Sequence, residues 1–275
     1  MANNNASPVR AIEGQKTLLA RTMHAIAYDG IHDEIVVPQI FAQGILTFRG
    51  AINGEEAPIR YIQGPLTQLQ DPDHVEVDPV HNEIFVPQHG HILVFPREAT
   101  GNVAPIRVLG GPDTGMGPGD QGVRIDPVHD VMVVSDYSTK GGSKILIFNR
   151  TDQGNTKPKG VITGPKSGLN KHSVGAAFAV YPAKSEIVIG VKGRNSQDTE
   201  THGSTELPQT DNADDYIGVW SINDNGDVPP RYTIGGPNGS FTDIYGITID
   251  PKHKEVIAAD GWKEAVMTFS FPEIF

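Results

Sequence analysis

The sequence repeats itself, and the repeat is what most limits the folds open to it. The stretch 75–112 reads VEVDPVHNEIFVPQHGHILVFPREATGNVAPIRVLGGP. It holds an alternating run ending at Asp78-Pro79, a tight turn carrying His81, and an apolar run from Glu83 to Val86. A third run, Ile92 to Phe95, follows, then a loop with Gly101 and a fourth run that opens at Pro105-Ile106-Arg107 and closes at Gly111-Pro112. Short runs rich in Val, Ile and Phe, bounded by Gly, Pro, Asn and Asp, are strand signals. Four in succession make an antiparallel meander.

The closing signature recurs at Pro8 to Gly14, Pro58 to Gly64, Pro105 to Gly111, Pro158 to Gly164 and Pro230 to Gly236. The opening signature recurs at Asp29-Gly30, Asp78-Pro79, Asp126-Pro127, Tyr181-Pro182 and Asp250-Pro251. Four strands per unit at a period of about fifty residues is the pattern of a β-propeller, whose sheets stack because none can bury both faces alone. The first closing run precedes any opening run, and the last unit supplies only three strands. The expected fold is therefore all-β: a five-bladed β-propeller of four-stranded antiparallel blades, the last blade closed by the N-terminal strand so that no edge stays open. Residues 1–7 read as a disordered lead-in. Residues 8–275 read as one propeller domain, with an insertion or lid loop over 192–213 in blade 4.

Composition narrows the function classes. The net charge of -11, with Lys and Arg scattered, argues against a nucleic-acid partner or an anionic membrane surface. No run of eighteen apolar residues is present to span a bilayer. The absence of cysteine removes disulfides, thiolate nucleophiles and sulfur ligands together. The polar start, Met1-Ala-Asn-Asn-Asn-Ala, lacks an apolar signal core, and a periplasmic or secreted protein whose export signal was removed is expected ahead of a cytoplasmic one. No Gly-x-Ser-x-Gly, phosphate-cradling loop, dinucleotide fingerprint or His-Glu-x-x-His is present, which disfavours serine-nucleophile, nucleotide and nicotinamide chemistry.

The segments Gly246-Ile247-Thr248-Ile249-Asp250-Pro251, Glu83-Ile84-Phe85-Val86, Ile92-Leu93-Val94-Phe95 and Pro105-Ile106-Arg107 resemble the units of NHL-type and YVTN-type propeller repeats, common in bacterial proteins. The resemblance covers nearly the whole chain and implies architecture far more than activity. Such proteins include lyases, hydrolases and non-catalytic binding rings, so function must come from the site.

Loop position sorts the histidines. His32, His81, His129 and His253 share one place, three residues after Asp29, Asp78, Asp126 and Asp250, and a repeated residue at a repeated turn reads as a turn-stabilising hydrogen bond. His24, His74 and His172 lie in or just after the segments leading into first strands. His89, His91 and His202 lie between second and third strands. In a propeller these two loop classes open on the same face, at the channel mouth. Imidazole is a common metal ligand and titrates near neutrality, so His24, His74, His172 and His91 are candidate ligands for Zn, Fe or Cu, ahead of a Ca site. Tyr245, His89 and Asp243 are candidate acid–base groups, and Gln88, Gln121, Tyr137, Lys192, Arg194 and Trp262 candidate substrate contacts. The expected function is a metal-assisted hydrolase or lyase acting on a small polar molecule at the channel mouth. The alternative is a non-catalytic propeller that binds a ligand, glycan or protein.

Overall fold

The structure is a computed structural model that describes residues 7–21, 23–119, 121–138, 142–169, 174–193, 215–236 and 241–275. Its strands form five antiparallel sheets in chain order, the blades of a five-bladed β-propeller. The first holds β1 (Ala27–Asp29), β2 (Glu34–Gln39), β3 (Gly44–Arg49) and β4 (Arg60–Gln63); the second β5 (Glu76–Asp78), β6 (Glu83–Gln88), β7 (His91–Pro96) and β8 (Arg107–Gly110). The third holds β9 (Gln121–Asp126), β10 (Val131–Ser138), β11 (Gly142–Asn149) and β12 (Gly160–Ile162). The fourth holds β13 (Phe178–Tyr181), β14 (Glu186–Val191), β15 (Tyr216–Ser221) and β16 (Tyr232–Gly235). The fifth has three strands, β17 (Ile244–Asp250), β18 (Glu255–Asp260) and β19 (Ala265–Ser270). Among the described residues there is no α-helix, only one-turn 3-10 segments, and no helix long and apolar enough to cross a membrane.

The chain clusters into two compact units, Met1–Gln88 with Ile92–Val108, and His89–His91 with Leu109–Phe275. In the first, Ala27, Val36, Ile45 and Ile62 of one blade pack with Val77, Ile84, Leu93 and Phe95 of the next. In the second, Val133, Ile145 and Ile147 meet Phe178, Ile187 and Trp220, and Val188, Ile217 and Val219 meet Ile244, Val256 and Ala258. The cores thus lie between consecutive sheets, which is why the middle strands are apolar on both faces. Removing these side chains from water supplies the drive to stack.

Three small devices repeat with the blades. At the turn after the first strand, Asp29, Asp78, Asp126 and Asp250 each accept two backbone amides through Oδ1. Through Oδ2 each meets the Nδ1 of His32, His81, His129 or His253 at 2.6–2.8 Å. This is the turn-stabilising bond expected of the repeated histidines. At the end of the second strand, Gln39, Gln88, Asp136 and Asp260 accept the amides of Ala20, Gln70, Gly117 and Thr242, pinning the segment that leads into their own blade. Blade 4 has Val191 at that place.

The third device latches four of the five closing glycines. Gly14, Gly64, Gly111 and Gly164 have φ between 101° and 130°, and the following turn is held by a side chain from the next blade in sequence. Glu55, Asn102, Asn155 and Asp227 accept the amides of Lys16, Leu66, Asp113 and Lys166. Parallel bridges Ile12–Gly54, Ile62–Gly101, Leu109–Gly154 and Ile162–Gly226 run alongside. The N-terminal run therefore meets blade 1 as β4, β8 and β12 each meet the blade after them. Among the described residues the fifth sheet has three strands, and Ile12 forms an isolated bridge to Gly54 rather than a strand.

Candidate functional site

Besides lacking the turn aspartate at Tyr181, blade 4 breaks the repeat at Val191 and in the long segment that follows it, and the side chains flanking that second break converge. Lys192 places its Nζ 2.7 Å from Asp243 Oδ1 and 3.7 Å from the centre of the Tyr245 ring. A β-bulge between Ile244 and Gly246 takes Tyr245 out of the ladder and re-aims its side chain, as bulges do. The ring then lies over Gly261, where a Cβ would come within 2.5 Å of it, so glycine is required for that approach. An ammonium over an aromatic face and against a carboxylate is held from two sides.

Asp215 completes the group. It is 1% exposed and accepts the Gly193 amide, while its Oδ2 has no hydrogen-bond partner among the described residues. Burial, together with the nearby Asp243 and Asp260 carboxylates, pushes its carboxyl up to about 6, against the pull of the Gly193 amide and Lys192. Asp260 goes the other way. Burial would raise it, but donors from Thr242, Lys263 and Asp243 hold it below the usual carboxylate range. Two carboxyls of one cluster, separated in acidity by their surroundings, are what proton transfer near neutral pH requires.

Of the residues expected from the sequence, the structure brings Tyr245, Asp243 and Lys192 together. Trp262 is half-buried in the turn between β18 and β19. Arg194, His172 and His202 lie outside the described residues. Gln121 opposes Asp136 and Tyr137 opposes Ser143 in the β9–β10–β11 register, and their side chains are likewise outside the description. Gln88, expected to meet substrate, uses both ends of its amide within its own blade: Oε1 accepts the Gln70 amide and Nε2 donates to the Gln68 carbonyl. His89 and His91, expected between second and third strands, sit at a tight turn there. His89 and Gly90 are the two residues of a tight hairpin with φ of 42° and 76°, and His91 begins β7 with its Nδ1 3.0 Å from the His89 carbonyl.

His24 and His74 meet through a third residue. Asp73 Oδ1 lies 2.6 Å from His24 Nδ1, and Asp73 Oδ2 lies 3.2 Å from His74 Nδ1. Burial would raise Asp73, but these imidazoles hold its carboxyl below the ordinary range. A carboxylate on Nδ1 leaves the Nε2 lone pair available, the arrangement that supports imidazole ligation. Among the described residues the one trio of His, Asp or Glu whose ligating atoms lie within 4.8 Å of one another is Asp250, His253 and Glu255, which contains none of the expected ligands and is the repeated turn again.

No family model matches the sequence, and no curated protein matches it. Similarity appears in solved structures. A chain of a nidogen/laminin complex shares 15% identity at TM-score 0.55, covering 91% of this chain and 80% of that one. Hydrazine synthase of Kuenenia stuttgartiensis shares 12% at TM-score 0.57, covering 90% and 64%. The β-propeller domain of Cps50 (Swd1) from Myceliophteria thermophila shares 9% at TM-score 0.56, covering 95% and 67%. The chain has the β-propeller fold. At these identities the likeness extends to architecture alone.

Proposed function

We propose that this propeller performs acid–base chemistry, hydrolysis or elimination, on a small polar or anionic molecule at the Lys192, Asp215, Asp243 and Tyr245 cluster. The observation that carries the reading is the buried Asp215 carboxyl, poised at about 6 beside a lysine that is itself fixed by Asp243. Asp215 accepts a proton from water or from a substrate carbon and returns it to the leaving group. Lys192 offsets negative charge as it develops, and the Tyr245 side chain, 62% exposed, faces arriving ligand.

The test is turnover of a panel of lactones, esters and hydroxy acids across pH, with Asp215→Asn as the comparison. Activity should turn on as pH rises through about 6, and the variant should lose about 10²- to 10⁴-fold. No turnover of any probe, or turnover indifferent to the substitution, overturns the reading.

A divalent metal belongs to the proposal through His24 and His74, whose Nδ1 atoms face Asp73 and whose Nε2 atoms would ligate. Bound there, Zn, Fe or Cu would supply a Lewis acid or an activated water. Elemental analysis of protein purified without chelator tests it: about one equivalent, lost in a His24→Ala and His74→Ala double variant, is the expected result. The other reading, a binding propeller without catalysis, draws support from the likeness to a chain solved in a nidogen/laminin complex. Its sign would be ligand capture unaffected by Asp215→Asn.

A further inference from the structure

Blade 1 carries a cleft that nothing in the acid–base site uses. Its volume is about 700 Å³, and its polar lining comes from four glutamines, Gln43, Gln63, Gln68 and Gln70, with Asp71, over the buried Leu69. The glutamines are all exposed. The walls are set before any ligand arrives. Gln63 Nε2 donates to the Ala42 carbonyl at 2.7 Å, and Gln88 holds the Gln68 carbonyl and the Gln70 amide from beneath.

Repeat architecture does not account for the cleft, because blade 2 closes the same place. There the turn between second and third strands is two residues, His89-Gly90. A Cβ on Gly90 would come 2.8 Å from the Gly117 carbonyl oxygen, and the His91 ring covers Gly110 so closely that a Cβ there would collide with it. In blade 1 the turn is four residues, 40–43, and Gly44 stands where blade 2 has His91. The longer turn, whose Ala42 and Gln43 line the cleft, leaves the space open, while the Tyr61 ring lies over Gly44 itself. Backbone conformation makes the same distinction. The left-handed φ of Gln68 recurs at Leu18, Gly115 and Gly168, but the left-handed Asp71, at φ 48°, does not belong to the repeat. Non-glycine residues in that region gather at ligand clamps.

The lining selects the ligand. No lysine or arginine lines the cleft and Asp71 is acidic, which turns away anions; one carboxylate among amides is too little for a metal ion. Side-chain amides both donate and accept and carry no charge, which suits a neutral molecule dense in hydroxyl groups. Outside the lining but on the same turns, Phe41 is 65% exposed and Leu66 is 57% exposed. Apolar faces next to amides match the two surfaces of a sugar ring, C–H on its faces and hydroxyls on its edge. We infer that the blade 1 cleft binds a neutral oligosaccharide. This holds independently of the chemistry at Lys192 and Asp215.

Titration of isotope-labelled full-length protein with linear hexasaccharides of glucose, xylose, mannose and N-acetylglucosamine, followed by amide NMR, tests the inference. Expected is saturable movement of resonances from 40–43 and 63–71 with one sugar class. That binding should weaken at least tenfold in Gln43→Ala/Gln70→Ala and again in Phe41→Ala, and stay unchanged in Asp215→Asn. All three substitutions at the cleft are exposed, so an unaltered spectrum elsewhere verifies that the fold is intact. No movement with any hexasaccharide, movement centred away from these residues, or binding indifferent to the substitutions overturns the assignment. So does saturable binding of neutral unstructured peptides at this cleft in place of sugar.

Discussion

At the scale of single residues, ionisable groups inside the blades are separated by what surrounds them. Asp126 is fully buried, and its carboxylate accepts two amides and the His129 imidazole. Asp126→Ala leaves both amides without an acceptor and should cost about 2–4 kcal/mol by urea unfolding, whereas Asp126→Asn, which keeps an oxygen at Oδ1, should cost about half as much. Asp215 behaves oppositely because its folded carboxyl is raised from 3.8 to about 6. The folded state then binds more protons than the unfolded state between those values, so this group's contribution falls as pH rises through the window. Asp215→Asn should therefore match the parent near pH 3.5 and exceed it at pH 7 by up to about 3 kcal/mol, since every tenfold difference in proton affinity between the folded and unfolded chain is worth about 1.4 kcal/mol. A stability difference that does not grow with pH would show that the carboxyl is not raised. The cluster was partly legible in sequence. Tyr245, Asp243 and Lys192 fall in loops that a propeller directs to one end of its blades, but Asp215 adjoins a long polar insertion and reads as part of it. Its raised carboxyl depends in part on the charges of Asp243 and Asp260, more than twenty residues away in sequence, and no local pattern announces that.

At the scale of elements, the closing glycines and the side chains that latch them act as one part. Gly64 has φ 130° and ψ 170°, a region open essentially to glycine alone, and a Cβ there would come 2.5 Å from the Asn102 Oδ1. Gly101, at φ 78° with nothing within 4 Å of an added Cβ, is strained without being crowded. Gly64→Ala should cost more than about 3 kcal/mol and Gly101→Ala about 1–2 kcal/mol. In an Asn102→Ala background the penalty at Gly64 should shrink, because the crowding goes while the backbone strain stays. Equal penalties in both backgrounds would assign the whole effect to strain. Blade 2 offers a second check in Arg107, whose guanidinium meets Glu83 through two 2.7 Å bonds in a largely buried pair. Arg107→Ala should cost about 3–5 kcal/mol, most of it from the stranded carboxylate.

At the scale of the whole molecule, strand order and blade count were open to sequence reasoning because Pro, Gly and Asp return at fixed offsets for stated physical reasons: a missing amide, a positive φ, a turn acceptor. The cleft was not, since it exists where two repeats differ by two residues of turn, as 40–43 differ from His89-Gly90. Each latch has its own partners, so Asn102→Ala and Asn155→Ala, at about 1–2 kcal/mol each, should sum in the double variant within about 0.5 kcal/mol. A larger departure measured by calorimetry would mean the blades do not unfold as neighbour-coupled segments. One exception to the latches and pins bears on the acid–base site. Where other blades hold their own leading segment with a glutamine or aspartate, blade 4 has Val191, and its Val174 amide is taken instead by the Ser143 hydroxyl while Ser135 donates to the Gly175 carbonyl. Both serines belong to blade 3. Blade 4 thus hangs from its neighbour like a door from a frame, and a change made at Ser135 or Ser143 will loosen the segment leading into blade 4 as well as the blade in which it was made.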